Sequence, residues 1–264
     1  MISRLNYSFK YLHYWLFSKH KKGHGIHSPF VFSIVKNVFN NNSKNEELTK
    51  VFKIVDYYKK NKQQIEFKDL GAGSSFSAIK KQTIGKSIKQ SSVNKKYGKL
   101  LFNLIAYFKP KTILELGTSL GISTAYIGSA APDSEFKTIE GAEPKLKIAK
   151  EIAQILELEN IRFIHGEFGD VLENTVSGFE KLDFVFFDGN HKKEPTLSYF
   201  NLCLEKAHRN SVFIFDDIHW STEMEQAWEE IKQNKKVRVS IDIFRMGIVF
   251  FNDDLSFQHY VIKF

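Results

Sequence analysis

Cys203 is the only cysteine in 264 residues, so the chain has no partner for an internal disulfide and no thiolate set for a zinc site. That scarcity suits a reducing, intracellular setting, and the expectation is a cytoplasmic protein. No apolar run approaches the roughly 20 residues needed to cross a bilayer. The first 20 residues carry Lys10 and His13 inside their aromatic stretch and lack a small-residue cleavage site, so they do not read as a signal peptide. What is present is ordinary globular usage, 42% hydrophobic and 26% charged, which excludes a wholly disordered, collagenous or coiled-coil chain.

Acidic residues are missing from two whole segments. Residues 1–45 hold seven Lys or Arg and no Asp or Glu, and residues 70–111 hold nine Lys and no acid. The chain carries +8 in total, so residues 112–264 are net acidic, at −9. The split reads as a basic, mainly helical N-terminal extension over residues 1–93 and an acidic domain over residues 94–264. A basic, aromatic N-terminus suits a nucleic acid, an anionic membrane or an acidic substrate. The stretch Tyr7–Phe17 (YSFKYLHYWLF) predicts a helix that packs its aromatic stripe on the core and shows lysines to water. In GHGIHSPF (23–30), His24 and His27 have no nearby acid or cysteine to complete a metal site, so the segment reads as an ordered turn.

From residue 112 strand and helix signals alternate. The strand runs are 112–117, 135–140, 161–166, 182–188 and 211–217, with helical candidates near 121–131, 144–158, 194–208 and 221–233. The strands are apolar on both parities, as expected when both faces are covered. Runs 237–244 and 247–251 are too close for a crossover helix and must pair antiparallel. The expected fold is therefore α/β, a doubly wound, mostly parallel seven-stranded sheet ending in an antiparallel hairpin. Before residue 112 the helical readings are 30–39, 46–61 and 94–108.

The sharpest motif is ELGTSLGIST, Glu115 to Thr124, directly after an apolar strand. It offers Gly117, Thr118, Gly121 and Ser123 in a turn, with the glycines allowing a tight backbone and close ligand approach and the next helix aiming amide donors at the crevice. The spacing is not G-x-G-x-x-G and there is no Walker lysine. An acid two residues before the first glycine suits a cationic ligand. Glu140, 25 residues after Glu115 and followed by Gly141, ends the second strand, where a carboxylate can accept both hydroxyls of a ribose.

With acid, glycine turn and second acid in this order, residues 94–252 resemble the class I S-adenosylmethionine-dependent methyltransferases, and within them the catechol O-methyltransferase-like group. The resemblance implies that residues after the third strand frame the adenine; here these are His165–Asp170, with Glu167 and Phe168 as contacts and Phe168 stacking on the base. DLGAG (Asp69–Gly73) imitates the first motif, but a polar segment precedes it and no acid follows until Glu115. It reads as a glycine turn, with a lid over the site as the alternative.

Asp188 ends strand four in FFDGNH, and Asp216 with Asp217 ends strand five in FIFDDIHW. Three converging carboxylates repel unless protonated or bridged by a cation, and magnesium or another hard divalent ion is the simplest bridge. The resemblance supports Asp188, Asp216 and Asp217 as metal ligands. Where the family's base is lysine this chain has His191, followed by Lys192. His191 is thus a candidate base or ligand, with an ordinary loop histidine as the alternative. Asp216 or Asp217 could instead cap the next helix. His219 and Trp220 are candidates to line the acceptor pocket, and Glu143 reads as a helix start rather than a substitute for Glu140.

No N-P-P-Y or D-P-P-Y tetrapeptide is present, which disfavours the usual amino-group methylation of adenine or glutamine, and Cys203 in a presumed helix disfavours a cysteine nucleophile. The expectation is an enzyme that O-methylates a small hydroxylated molecule, with Asp188 and His191 at the chemistry and S-adenosyl-L-methionine as cofactor. The alternative is an RNA methyltransferase or a non-catalytic nucleic-acid-binding protein on the same fold. Peripheral membrane contact through residues 5–17 is compatible with either.

Overall fold

A computed structural model describes residues 4–68 and 79–264, so the DLGAG turn at Asp69–Gly73 lies outside the described residues. The N-terminal part runs α1 (Arg4–Phe17), α2 (Pro29–Ile34) continuing into a π-helical turn (Val35–Phe39), α3 (Glu46–Tyr58), β1 (Gln64–Lys68), β2 (Ile79–Thr83), α4 (Ile84–Ser91) and α5 (Lys95–Phe108). Starts are set by side chains that satisfy the first amides: Ser28 caps α2 ahead of Pro29, Asn45 caps α3, Thr83 caps α4 and Asn94 caps α5. Lys109 ends α5 in the left-handed region just before Pro110, a sharp stop.

The alternating part then follows as β3 (Thr112–Leu116), α6 (Ile122–Ala130), β4 (Glu135–Glu140), α7 (Glu143–Ile155), β5 (Ile161–His165), α8 (Phe168–Ser177), β6 (Leu182–Phe187), α9 (Lys193–Leu204) and β7 (Ala207–Phe215). The chain closes with α10 (Thr222–Gln233), β8 (Val239–Asp242), β9 (Gly247–Phe250) and β10 (Gln258–Val261). The fold is the expected α/β one, a mostly parallel sheet with alternating helices. It has eight strands rather than seven, because β10 adds itself parallel to β8. That strand hides in a polar tail whose sides alternate half-buried and exposed, so no apolar run announces it. The pair β1–β2 forms a separate two-stranded antiparallel sheet.

By its internal contacts the described chain falls into two compact units, residues 37–68 with 79–172 and residues 4–36 with 173–264. In the first, β3, β4 and β5 pair in parallel in that order. Tyr126 of α6 is fully buried, and Gly98 makes room for it: a Cβ there would come within 2.2 Å of the ring. In the second unit the order is β10-β8-β9-β7-β6, and only β9 opposes its neighbours, β7 and β8. Its core is aromatic, with Phe187 and Phe215 stacked at 4.4 Å. Pairing of Gly247 with both Phe215 and Asp242 sets the 243–246 turn beside the residues that leave the end of β7.

Candidate active site

In the first unit the turn after β3 is shaped by positive φ at Gly117 (104°), Ser119 (47°) and Gly121 (79°). Its amides are tied to the neighbouring strand, Gly117 N and Thr118 N both donating to the Ile139 carbonyl at 3.0 and 3.1 Å. Beneath it Glu115 is wholly buried, and one of its oxygens accepts the hydroxyls of Thr124 and Thr138 at 2.5 and 2.6 Å. Burial pushes the Glu115 carboxyl above the usual range, against the pull of the Ser123, Thr124 and Thr138 hydroxyls. Thr118 bonds Thr138 at 2.6 Å and is 1% exposed. Glu115, Thr118 and Ser123 therefore brace the turn from inside. Gly121 was expected to admit a ligand, yet the space of its missing Cβ is taken by Ala149 of α7, 2.8 Å away, so it serves close helix packing.

Glu140 is different. It sits at the carboxyl end of β4, one oxygen accepting from Ser119 N and the other from Ala142 N, each at 2.8 Å. A carboxylate has about four lone-pair sites. Among the described residues two remain unused, one on each oxygen, which is the donor-accepting pair that vicinal hydroxyls require. Beyond β5, the His165 ring bonds the Gly141 carbonyl at 3.1 Å, Phe168 is half-buried at the head of α8, Glu167 is exposed, and open space lies beside Gly169. Glu143 is in the first turn of α7 and pairs with Lys147, a helix start as expected.

Residues 114–218 match the family described as a methyltransferase domain. Over these residues the chain resembles a methyltransferase domain. Among solved structures, the chain resembles the O-methyltransferase from Bacillus cereus in complex with SAH, at 18% identity and a TM-score of 0.56 over 79% of this chain and 92% of that one. It also resembles the O-methyltransferase TomG from Streptomyces achromogenes, involved in tomaymycin synthesis, at 17% identity and 0.56 over 84% and 94%. A tRNA (guanine-N(7)-)-methyltransferase from Shewanella frigidimarina is 32% identical over 84 residues, 31% of this chain. The match spans about a third, 35%, of that relative's length.

The second unit holds the acids. Asp188 follows β6, and the His191 ring lies 3.7 Å from its carboxylate, with Asn190 and His191 both at positive φ. Asp216, 1% exposed, is engaged on both oxygens by one side chain: Arg245 donates from Nε at 3.0 Å and from Nη2 at 2.8 Å. Asp217 stands at φ 53° with its carboxylate 3.6 Å from the same Nε. Burial first, and then the charge of Asp216, push Asp217 up to about 6, although His191 and Arg245 pull it down. Tyr7 of α1 is pushed up to about 12 by burial and by Asp217. Neither acid caps α10, whose N-cap is Ser221.

Asp188, Asp216 and Asp217 were expected to hold a divalent cation. They do not fit one, because Arg245 already occupies Asp216 and lies against Asp217, and among the described residues no three His, Cys, Asp or Glu are grouped to take a metal. The cation that reconciles these acids belongs to the chain. Arg245 is not among the candidates the sequence offers; its signal is a lone arginine in the tight β8–β9 turn, which strand register carries back to the end of β7.

His219, proposed for the acceptor pocket, is held at both nitrogens, by Glu225 at 3.0 Å and Asp242 at 2.9 Å. It lines a cavity of about 490 Å³ with Lys10, Tyr14 and Phe244, while Trp220 is half exposed. Burial alone would lower the His219 pKa, but the bonds to and charges of Asp242 and Glu225 outweigh it and raise it. A raised folded value means that the stabilisation is complete below the unfolded value and is lost as pH rises through the folded one. The stability advantage of wild type over His219→Gln should therefore shrink from mildly acidic to alkaline pH in urea titrations. A gap independent of pH would show that the ring is neutral throughout. Cys203 is buried and its thiol is pushed up by burial, which keeps it inert.

Proposed function

We propose that this protein is an S-adenosylmethionine-dependent methyltransferase that O-methylates a small hydroxylated acceptor. The observation that carries the cofactor half of the reading is Glu140, a strand-end carboxylate with one lone pair to spare on each oxygen. S-adenosylmethionine, when bound, supplies an electrophilic methyl on a sulfonium. Glu140 takes the ribose hydroxyls, Gly117 and Gly141 border the cofactor, and Glu167 and Phe168 frame the adenine. Glu115, Thr118, Gly121 and Ser123 act by holding the turn in shape. At the acceptor, His191, oriented by Asp188, would take the hydroxyl proton. Arg245 keeps Asp216 and Asp217 together without an added metal. The O-methyltransferase names of the structural relatives support this acceptor class.

Calorimetric titration of S-adenosylmethionine, repeated in chelator, tests the reading together with transfer of labelled methyl to a panel of phenols and catechols. Binding and turnover that survive chelation are expected. Loss of turnover in chelator, restored by magnesium, would return the acids to a metal role. Absence of cofactor binding would overturn the activity itself.

A second reading is favoured by one observation, the likeness to a tRNA methyltransferase alongside the basic first 111 residues. Tight, steeply salt-dependent tRNA binding with methyl transfer to it would replace the small acceptor.

A further inference from the structure

Helix α1 carries apolar side chains on two opposite sides, and among the described residues only one of these sides is packed on the fold. On the inner side the Tyr7, Tyr11 and Tyr14 rings surround Phe244 at 5.1–5.2 Å. The Tyr14 hydroxyl donates to the Ile262 carbonyl at 2.6 Å, and Lys10 pairs with Glu225 at 2.6 Å. At 100° per residue, Phe9, Leu12 and Leu16 fall on the opposite arc, with Trp15 and Phe17 on its flanks. All five are open to solvent: Phe9 67%, Leu12 49%, Trp15 49%, Leu16 57% and Phe17 64%. Soluble domains seldom leave such a contiguous apolar face unmatched.

The surroundings say what covers it. Lys263 places its ammonium 4.1 Å over the Trp15 ring and donates to the Trp15 carbonyl. Lys19, Lys21 and Lys22 are exposed just past the end of the helix, and no acid occurs anywhere in residues 1–45. A second copy of the chain would bring this basic surround against itself. A nucleic acid would use the lysines and leave Phe9, Leu12 and Leu16 in water. An anionic lipid surface satisfies both, with acyl chains for the apolar arc, headgroups for the lysines and the interfacial zone for the tryptophan. The helix of 14 residues measures about 21 Å, short of the ~30 Å hydrocarbon core, and no helix of the described residues is long and apolar enough to cross a membrane. It lies on the surface.

We propose that the outer face of α1 is a docking surface for anionic membranes, holding the protein by Phe9, Leu12, Trp15, Leu16 and Phe17 with Lys19, Lys21, Lys22 and Lys263 as headgroup contacts. The inner face is already anchored, so the surface is preformed and needs no folding step on binding.

Flotation of the full chain with phosphatidylcholine vesicles, with and without phosphatidylserine, tests this. Wild type should float with the serine-containing vesicles and little with the others. Phe9→Ser with Leu16→Ser should float about tenfold less while keeping the wild-type melting temperature, since neither side chain packs inward. Wild type left at the bottom with anionic vesicles, or a double variant that floats as well as wild type, would overturn the proposal. So would a lipid-free dimer that the double variant dissociates, which would assign the face to a second copy. RNA binding without flotation would overturn it equally, assigning the basic residues to nucleic acid.

Discussion

Glu140→Ala should weaken S-adenosylmethionine binding by about 100-fold, the loss of two hydrogen bonds to a charged acceptor at roughly 1.5 kcal/mol each. The reasoning rests on geometry at the end of β4. Each Glu140 oxygen spends one lone pair on a backbone amide, Ser119 N or Ala142 N, and keeps one for a ligand hydroxyl. Alanine removes the ligand contacts and also frees the two amides, so the turn after β3 loses part of its brace. Glu140→Gln separates these effects: it keeps one acceptor oxygen and the shape, and about a tenfold loss is expected. Calorimetry reads the affinity, and a thermal melt reports whether the fold is kept. Unchanged affinity in the alanine variant would move the ribose elsewhere.

Arg245→Met should be the most destabilising single change on the acid side. It leaves Asp216 buried at 1% exposure with no other described side chain bonded to either oxygen, and it removes a nearby cation from Asp217. Breaking a buried pair in this way costs about 3–5 kcal/mol, which for a chain of this size lowers the melting temperature by roughly 10 °C. Asp216→Asn added to that variant should recover part of the loss, because the uncompensated charge is then gone. A melting temperature within a degree or so of wild type would mean that the pair is solvated and weak.

Asp217 gives this acid site a pH signature. Its folded value of about 6 lies above the ordinary 3.8, so between them the folded protein binds a proton that the unfolded chain has released. Stability must then fall as pH rises through that window and level off above it. Asp217→Asn has no such titration, and asparagine tolerates the φ of 53° at this position. The variant should gain on wild type from about pH 4 to about pH 6.

The sequence alone determined the α/β class, the parallel strand runs and the closing antiparallel pair. Hydrophobic period and strand spacing are local properties, and two runs separated by only a short turn have no other way to pair. It also put Glu140 at the end of a strand, where the structure has it, because a strand end needs only chain position to be recognised. Helix α8 and strand β10 were not legible. The first begins on a segment that reads as loop, and the second alternates half-buried and exposed residues without an apolar run.

The roles within the motifs were decided only in three dimensions. Glu115, Thr118 and Ser123 look like ligand-facing residues in the linear motif, but a turn of this curvature has an inside, and there Thr118 bonds Thr138 while one Glu115 oxygen accepts the Thr124 and Thr138 hydroxyls. Gly121 faces Ala149 because α6 and α7 approach closely, a distance no motif encodes. Three acids in sequence suggested a metal, whereas the balancing charge comes from Arg245, 29 residues beyond Asp216 and brought to it by the register of β9 against β7 and β8. Local pattern names the elements and the candidate acids; which charge answers which acid depends on residues far apart in the chain, and only strand pairing brings them within reach.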